Sequence, residues 1–483
     1  MKIFSSTPPL LFVIVSILFL GSQAIVILCS FIGVALLYSI TLFSRFNGKS
    51  SKLKKCSFIL TVMVSTHLSY AQTITLPQAI QAAIQNNYQV LITKNESNIG
   101  AINNNWGNAG ALPTVNATVN KSMGSISIQQ ELTNGTAIKR EGAAVNNLNT
   151  SLLASWRFFD GFKMFATKKK LVELQKIGQT NFTKQVNETI YNTTVAYYTI
   201  VQLQQQIAAT QQAIFLNEER LKIAAAKFKI GTGAKTDVLQ AEVDVNEQQS
   251  ILKSTQNSIA NAKINFNTIL AKPANSQVLI VDSFKTYMPI QIEIVQQKIA
   301  LQNPDVLLAN SNLLVLLLAK KEINAQLLPA ATLSSNYNFS RNKSEAGFTL
   351  LNQNYGPTAA IGIAIPLFNG GNVKQQLKVA DIQISNQQLV VAQIKNQIQA
   401  LLNTAVNNFN NANELALMEQ KNLLLIAENN KINMEKFKLL SITSIELRQG
   451  LLNFSTAQSR LIQSQFESAI ALAQIQLLCG EIQ

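Results

Sequence analysis

The chain contains two copies of one structural unit, and this duplication limits the folds that it can adopt. Four short motifs recur in the same order in both halves. In pairs, first copy and then second, they are Asn87-Tyr88-Gln89-Val90 and Asn303-Pro304-Asp305-Val306, Leu112-Pro113 and Leu328-Pro329, Phe159-Asp160-Gly161 and Phe368-Asn369-Gly370, and Lys227-Phe228-Lys229 and Lys436-Phe437-Lys438. The first two pairs are offset by 216 residues and the last two by 209. A register held over so much chain indicates duplication, and we expect a loop between residues 113 and 156 to absorb the difference.

Each copy contains two segments with the hydrophobic period of a β-strand. Apolar and polar residues alternate over 114–120 and 152–158 in the first copy, and over 331–339 and 359–367 in the second. This pattern predicts four amphipathic strands in two hairpins, within residues 112–159 and 328–368. The segments that link the strands, 121–147 and 340–357, are rich in Asn, Ser and Gly. We expect them to be exposed loops.

The rest of each copy has the hydrophobic period of a helix. Residues Val186, Ile190, Thr193, Tyr197 and Ile200 are spaced by four and three in turn, which predicts a coiled-coil seam. We expect one helix over 162–229, with Asp160 as its N-cap and a length of about 100 Å. Shorter helices at 76–111 and 234–271 would stack end to end beside it. This length and the many Gln and Asn residues indicate helices that stand in water and do not cross a membrane.

The first 71 residues have the character of a targeting segment. Residues 52–71 resemble a signal peptide, with Lys52, Lys54 and Lys55, an apolar run at 58–64, and cleavage expected after Ala71. Residues 1–51 form an apolar extension. They are interpreted either as a membrane anchor or, preferably, as the result of a start site assigned too far upstream, whose extra residues are absent from the mature protein.

Composition argues against conventional catalysis and against nucleic-acid binding. Beyond residue 71 the chain has no His, and its single Cys is Cys479. A Ser-His-Asp triad, a His-ligated metal and an internal disulfide are therefore excluded, and we expect no enzyme activity, cofactor or metal. Without its first 71 residues the chain has 34 Lys and Arg against 25 acids. These basic residues are scattered, and 168–170 is interpreted as a solvated helix face.

Four strands cannot close a barrel, and an open sheet edge is not tolerated in lipid. Because membrane barrels begin at eight strands, the chain is expected to associate, with two copies giving eight strands or three giving twelve. Trp156, Phe158, Tyr337 and Phe339 are the candidate lipid-facing or interfacial residues, and the alternating Asn, Ser and Thr would line a wet interior. A soluble β-sandwich is the alternative.

Several motifs together resemble the TolC-like outer-membrane efflux protein family, over essentially all of residues 72–483. They are Leu76-Pro77-Gln78-Ala79-Ile80, Asn86-Asn87, Trp156-Arg157-Phe158-Phe159-Asp160-Gly161, Lys227-Phe228-Lys229-Ile230-Gly231, Thr236-Asp237-Val238-Leu239-Gln240-Ala241 and Ile365-Pro366-Leu367-Phe368-Asn369-Gly370-Gly371. The duplication divides this part of the chain into two repeats, 72–290 and 291–483. The resemblance implies an α+β membrane protein. It implies a homotrimer with a twelve-stranded barrel in the outer-membrane lipid, continuous with a long α-helical barrel in the periplasm.

The resemblance also implies a function and partners. The chain would be the exit duct of a tripartite multidrug efflux or type I secretion system. Its partners would be a periplasmic adaptor (membrane fusion) protein and an inner-membrane pump of RND or ABC type. A trimeric coiled-coil surface stalk or adhesin without transport is the alternative. Cys479 is interpreted as a packed residue rather than a lipid anchor.

By resemblance, the helix turns at 230–237 and 439–446 form the periplasmic entrance. Gly231 and Gly233 are turn residues, and Asp237 and Glu446 occupy corresponding places in the two copies. Ile442 and Gln449 stand where family members often carry Arg and a second acid, so the usual lock would be weakened. We hypothesise that three Glu446 carboxylates around a threefold axis form a cation-attracting constriction. In the alternative, Asp237 and Glu446 simply begin their helices.

Overall fold

The computed structural model describes residues 73–284, 295–296, 299, 302–346 and 349–480. All of them belong to one unit of the chain, residues 71–483. The apolar extension 1–51 and the signal peptide 52–71 lie outside the described residues. The expected boundary between the repeats, at residues 290 and 291, also lies outside them.

Each copy contributes helices on either side of a β-hairpin, in the order that the sequence predicts. The elements are α1 Leu76–Asn86, α2 Tyr88–Asn103, β1 Thr114–Glu131, β2 Ala137–Phe159, α3 Lys163–Lys229, α4 Lys235–Ile269, α5 Pro304–Ala325, β3 Ala330–Ser344, β4 Leu351–Ala364, α6 Asn372–Lys438 and α7 Ser444–Cys479. None of the helices in this described part is long and apolar enough to cross a membrane.

The two long helices α3 and α6 have 67 residues each and therefore extend about 100 Å. The predicted seam on α3 is confirmed at four of its five residues: Ile190, Thr193, Tyr197 and Ile200 are buried, and Val186 is half-buried. Tyr197 and Ile200 pack with Phe266 of α4 in one apolar cluster. A second cluster joins α6 to the end of α7 and includes Cys479, in keeping with its interpretation as a packed residue.

The predicted single helix at 76–111 is wrong, because the chain breaks at Asn87 and α2 ends at Asn103. The Asn87 side chain accepts hydrogen bonds from the Gln89 and Val90 amides and so caps α2, while its amide group donates to the Ile269 carbonyl at 2.9 Å. Asn303 caps α5 in the same way. The side chain of an N-cap asparagine satisfies amides that a new helix leaves free, so a break at these positions costs little.

The start of α3 also differs from the prediction. Asp160 is not the N-cap; Phe162 holds that position in the left-handed conformation, with φ +68°. The Asp160 carboxylate nevertheless accepts the Met164 amide at 2.9 Å and 3.1 Å. Asp160 therefore still provides a hydrogen-bond acceptor for an amide of the first turn, although it lies two residues before the N-cap.

The strands form one antiparallel sheet in the order β1-β2-β3-β4. The prediction of loops at 121–147 and 340–357 is wrong for most of both segments, since β1 continues to Glu131, β2 begins at Ala137, and β3 and β4 reach Ser344 and Leu351. Asn, Ser and Gly weaken a strand by propensity. Here each strand has a full backbone partner across its hairpin, and that pairing outweighs propensity.

The register gives the sheet one apolar face and one polar face. Tyr337 lies between Leu152 and Pro357, and paired residues point to the same side. The exposed apolar face carries Val115, Val119, Leu152, Trp156, Leu333, Tyr337, Tyr355, Ile361 and Ile363. Phe339 shares this face through its pairing with Thr150, and Phe158 is the extra residue of a β-bulge.

The opposite face of the sheet carries short polar side chains. Ser151 donates to Asn336 at 2.8 Å, and Ser340 donates to Asn149 at 2.6 Å. Such residues suit a surface in contact with water. The sheet therefore has an apolar side and a polar side, as the alternating pattern predicts.

Gly161 is the position in the strand-to-helix junction where a side chain would be least tolerated. Its φ is +69°, and an added Cβ would lie 2.5 Å from the Ala325 carbonyl oxygen and 2.6 Å from the Leu328 Cβ. We expect Gly161→Ala to lower the free energy of unfolding by roughly 2–5 kcal/mol, because it combines backbone strain with a steric clash. Thermal unfolding followed by circular dichroism measures the effect.

The second copy supplies a matched control at Gly370. Its φ is +67°, but nothing lies within 4 Å of an added Cβ. Gly370→Ala should therefore cost only the strain, about 1–2 kcal/mol. Equal losses in the two variants would contradict the steric argument.

Candidate functional site at the helix tips

The ends of the two long helices farthest from the sheet turn back in nearly the same way. After α3 the Thr232 amide donates to the Lys227 carbonyl at 3.0 Å, and after α6 the Ser441 amide donates to the Lys436 carbonyl at 2.9 Å. Gly231 has φ +80°, and Leu440, at the equivalent place, has φ +61°. The second turn therefore accepts a strained non-glycine residue, at a cost of about 1–2 kcal/mol.

Gly233 is needed for a different reason. An added Cβ would lie 2.9 Å from the Lys227 Cβ and 3.0 Å from the Phe228 nitrogen. The chain passes so close to the end of α3 at this point that there is no room for a side chain. Both glycines predicted at this tip thus have a structural role in the turn.

Glu446 caps its own helix. The Thr443 amide donates to the Glu446 carboxylate at 2.8 Å, and the Glu446 amide donates to the Thr443 hydroxyl at 3.2 Å, which is a capping box. The amide and hydroxyl of Thr443 lower the pKa of Glu446, so this carboxylate stays charged at neutral pH. Asp237 lies in the first turn of α4, where its amide donates to the Ala234 carbonyl.

Ile442 and Gln449 do not bind the other helical hairpin through polar contacts. Ile442 packs against the apolar cluster of Phe437, Leu447 and Leu451. Gln449 donates to Asn453 of its own helix at 2.9 Å. Among the described residues, no hydrogen bond or ion pair joins Asp237, Ile442, Glu446 or Gln449 to the opposite hairpin.

A buried charge cluster close to the tips provides such a connection. Asp244 lies about two turns beyond Asp237 on α4, whereas Ser444 is the first residue of α7. Arg220 of α3, Asp244 of α4, and Ser444 and Arg448 of α7 make up this cluster, which we call the Asp244 network. Arg220 Nη1 and Arg448 Nε both donate to Asp244 Oδ2, at 2.5 Å and 2.8 Å. Arg220 Nη2 donates to the Ser444 hydroxyl at 3.2 Å. The network therefore ties the hairpin α3–α4 to the hairpin α6–α7.

The centre of the Asp244 network is deeply buried, since Arg220 is 1% exposed and Asp244 is 6% exposed, whereas the Arg448 side chain is 37% exposed. Burial alone would raise the pKa of Asp244. Hydrogen bonds from Arg448, Arg220 and Gln240 outweigh that effect and lower the pKa below its ordinary value of 3.8. A buried ion pair of this kind adds little net stability, but removing one partner typically costs about 3–5 kcal/mol. Of its contacts, Arg448–Asp244 and Arg220–Ser444 are the ones that join the two hairpins.

Two further sets of contacts cross between the hairpins. Lys227 Nζ lies 3.5 Å from the centre of the Phe437 ring, and burial lowers the pKa of Lys227. Along α3 and α7 the polar pairs are Tyr191–Gln474, Gln202–Gln463, Gln206–Ser459 and Gln212–Gln458. The first three pairs advance by equal numbers of residues on the two helices, as straight antiparallel packing requires.

Sequence reasoning missed the Asp244 network. Asp244 is seven residues after Asp237, so both lie on nearly the same face of α4. Its neighbours Ala241 and Val245 are buried. An acidic residue on the buried face of α4 was therefore a signal for a buried ion pair. The sequence did not identify its partners, because Arg220 and Arg448 lie on α3 and α7, which are far apart in sequence. No group of His, Cys, Asp or Glu in the described part of the chain is arranged to hold a metal.

Comparison with known proteins adds a relationship in sequence. The profile of the outer membrane efflux protein family matches residues 75–272, from α1 to just beyond α4. The chain is 22% identical over 285 residues to the outer membrane efflux protein BepC of Brucella suis biovar 1 (strain 1330). That alignment covers 58% of this chain and 59% of the length of BepC.

Solved structures share the fold. A membrane protein from Pseudomonas aeruginosa superposes with a TM-score of 0.72 at 12% identity, covering 85% of this chain and 92% of that one. The CmeC outer membrane channel of Campylobacter jejuni superposes with a TM-score of 0.70 at 15% identity, covering 86% and 90%. At this level of identity the likeness extends to the fold, with its four-stranded sheet and long helices.

Proposed function

We propose that this chain, a TolC-like member of the outer membrane efflux protein family, forms the exit duct of a tripartite efflux or secretion system. Members of the family are channels rather than enzymes. In the proposed duct, three copies surround one pore in the outer membrane, and substrates reach it from an inner-membrane pump through a periplasmic adaptor. The pump supplies the energy.

The observation that carries this proposal is the sheet. It has one exposed apolar face, one polar face, and two edge strands, β1 and β4, without a neighbour among the described residues. Unpaired backbone groups are not tolerated in lipid, so the β1 edge of one copy would pair with the β4 edge of the next. Three copies give twelve strands, within the range of bacterial barrels.

The helices support the second part of the proposal. With α3 and α6 each about 100 Å long, a ring of such helices reaches far below the membrane-embedded sheet. It forms a tunnel whose lower end is built from the helix tips. We propose that an adaptor and a pump of RND or ABC type engage these tips.

We further propose that the Asp244 network holds this lower end closed. It ties the two hairpins of a protomer at a buried point, and the polar pairs along α3 and α7 can exchange partners with water when the hairpins separate. Opening then requires that Asp244 lose Arg448 and that Arg220 lose the Ser444 hydroxyl, because these two contacts join the hairpins. The network thus substitutes for the lock that Ile442 and Gln449 lack.

The native mass of residues 72–483, extracted from outer membranes in mild detergent, tests the duct. We expect a heat-sensitive trimer that forms ion-conducting channels in planar bilayers. The reason is that only a closed ring satisfies the edges of the sheet. A stable monomer would contradict the duct, and a trimer without conductance would favour the coiled-coil stalk.

Asp244→Asn tests the proposed closure. We expect this variant to raise the single-channel conductance or open probability severalfold, because it leaves Arg220 and Arg448 without their shared counter-charge. Glu419→Gln is the matched control: it removes the carboxylate of the Arg460–Glu419 pair, which joins α6 to α7 within one hairpin. Similar conductance changes in both variants would exclude a specific role for Asp244.

The same network predicts the pH response of the wild-type channel. The pKa of Asp244 is lower in the folded state than in the unfolded state. The stabilisation by its ionised carboxylate is therefore complete above the unfolded-state pKa and is lost as the pH falls through the folded-state pKa. Closure should therefore be unchanged between about pH 5 and pH 8. An opening transition within that range would point to another group.

Glu446→Gln tests the proposed cation constriction. Gln can also serve in a capping box, so the substitution removes charge while preserving the start of α7. We expect lower cation selectivity and weaker block by multivalent cations, because three carboxylates near one axis would be lost. Glu414→Gln, on an exposed part of α6, is the control. Unchanged selectivity and block in Glu446→Gln would exclude the constriction and leave capping as the role of Glu446.

A further inference from the structure

A groove of about 700 Å³ lies between α3, α5 and α6, on the side of the helices near the sheet. Its apolar lining includes Leu314, Leu317 and Leu377. Three lysines, Lys169, Lys320 and Lys321, also line it and outnumber its one acid, Glu173.

Lysines are concentrated around the groove. We define the basic collar as Lys163, Lys169, Lys321, Lys374 and Lys378. Each lies within seven residues of the end of α3, α5 or α6 that adjoins the sheet, and thus within about 10 Å of it. No ion pair is found for these five lysines within the described ranges. By contrast, Lys170 pairs with Glu322, and Lys320 pairs with Asp381.

An aromatic cluster connects the groove to the apolar face of the sheet. Trp156, on that face, donates its indole N–H to the Ala111 carbonyl at 2.9 Å and so holds the loop that carries Trp106. The Trp106 ring packs on Phe165 with 5.9 Å between centroids, and Phe165 packs on Phe162 at 6.2 Å.

The helix continues this surface to the collar. Lys169 and Val172 follow Phe165 by four and seven residues, which places these three on one stripe of α3. Lys169 and Val172 also line the groove. The groove therefore opens on the side of the molecule that carries the apolar face of the sheet.

We propose that the groove and the basic collar bind the headgroups of anionic phospholipids in the membrane leaflet next to the helices. This rests on the proposed function, in which the apolar face of the sheet lies in that membrane. Aromatic residues at the end of an apolar band mark the level of the headgroups. Lysines clustered at that level attract anionic lipid, and their long side chains can extend toward the phosphates while their stems cover the leucines.

The two tryptophans of the chain, Trp106 and Trp156, both lie at this junction and serve as built-in probes. The trimer is reconstituted in phosphatidylcholine vesicles that contain either brominated phosphatidylglycerol or brominated phosphatidylcholine. We expect phosphatidylglycerol to quench the fluorescence with an apparent affinity at least fivefold higher at low salt. In 1 M NaCl the preference should disappear, because the Debye length falls to about 3 Å.

Two triple variants with equal loss of charge show whether the collar is responsible. One is Lys169→Gln with Lys321→Gln and Lys374→Gln. The control is Lys253→Gln with Lys395→Gln and Lys421→Gln, three exposed lysines more than about 30 Å from the sheet along the helices. We expect the collar variant to lose the preference for phosphatidylglycerol and the control to keep it.

Equal quenching by the two lipids in the wild type would overturn the inference, as would a preference that survives in the collar variant. If the channel conducts in both lipids without such a preference, only the lipid inference fails. If the chain forms no channel in either lipid, the proposed function fails, and the lipid inference falls with it.

Discussion

The free backbone groups along the outer edges of the sheet are the constraint on which the rest of the proposed assembly depends. In lipid each unsatisfied N–H or C=O costs several kcal/mol, so two edges of this length cannot remain open. Another copy of the chain offers an edge of matching direction and a matching apolar face. Once the strands close in a ring, the helices that follow them must form a ring as well. The proposed tunnel thus follows from the need to pair the backbone N–H and C=O groups of the edge strands.

The two repeats share a backbone plan but differ in how tightly each part is held. Asn87 and Asn303 cap their helices in the same way, which explains why this motif recurs. Gly161 is enclosed by Ala325 and Leu328, whereas Gly370 faces open space. The backbone therefore has the same conformation at Gly161 and Gly370, although the strand-to-helix junction is more tightly packed in the first copy.

Much of this architecture could be predicted from the sequence, since periodicity and duplication report directly on which faces are buried. The long helices, the four strands and the two tip turns follow from those signals. The full lengths of the strands do not, because residues 121–131 and 137–147 are held by pairing with each other rather than by burial. The Asp244 network could not be predicted for a related reason: its residues come from three helices, and no local pattern specifies which charges meet.

The unequal hairpins have a consequence for the outer rim of the proposed trimer. β3 ends opposite Val145 of β2, whereas β1 and β2 remain paired up to Glu131 and Ala137. The first hairpin therefore rises above the second by about seven residues, or roughly 20 Å. Around a threefold axis, three long β1–β2 hairpins would alternate with three short β3–β4 hairpins. A large molecule that approaches from outside the cell would contact the long hairpins first, while small solutes that leave the pore could diffuse sideways above the short ones.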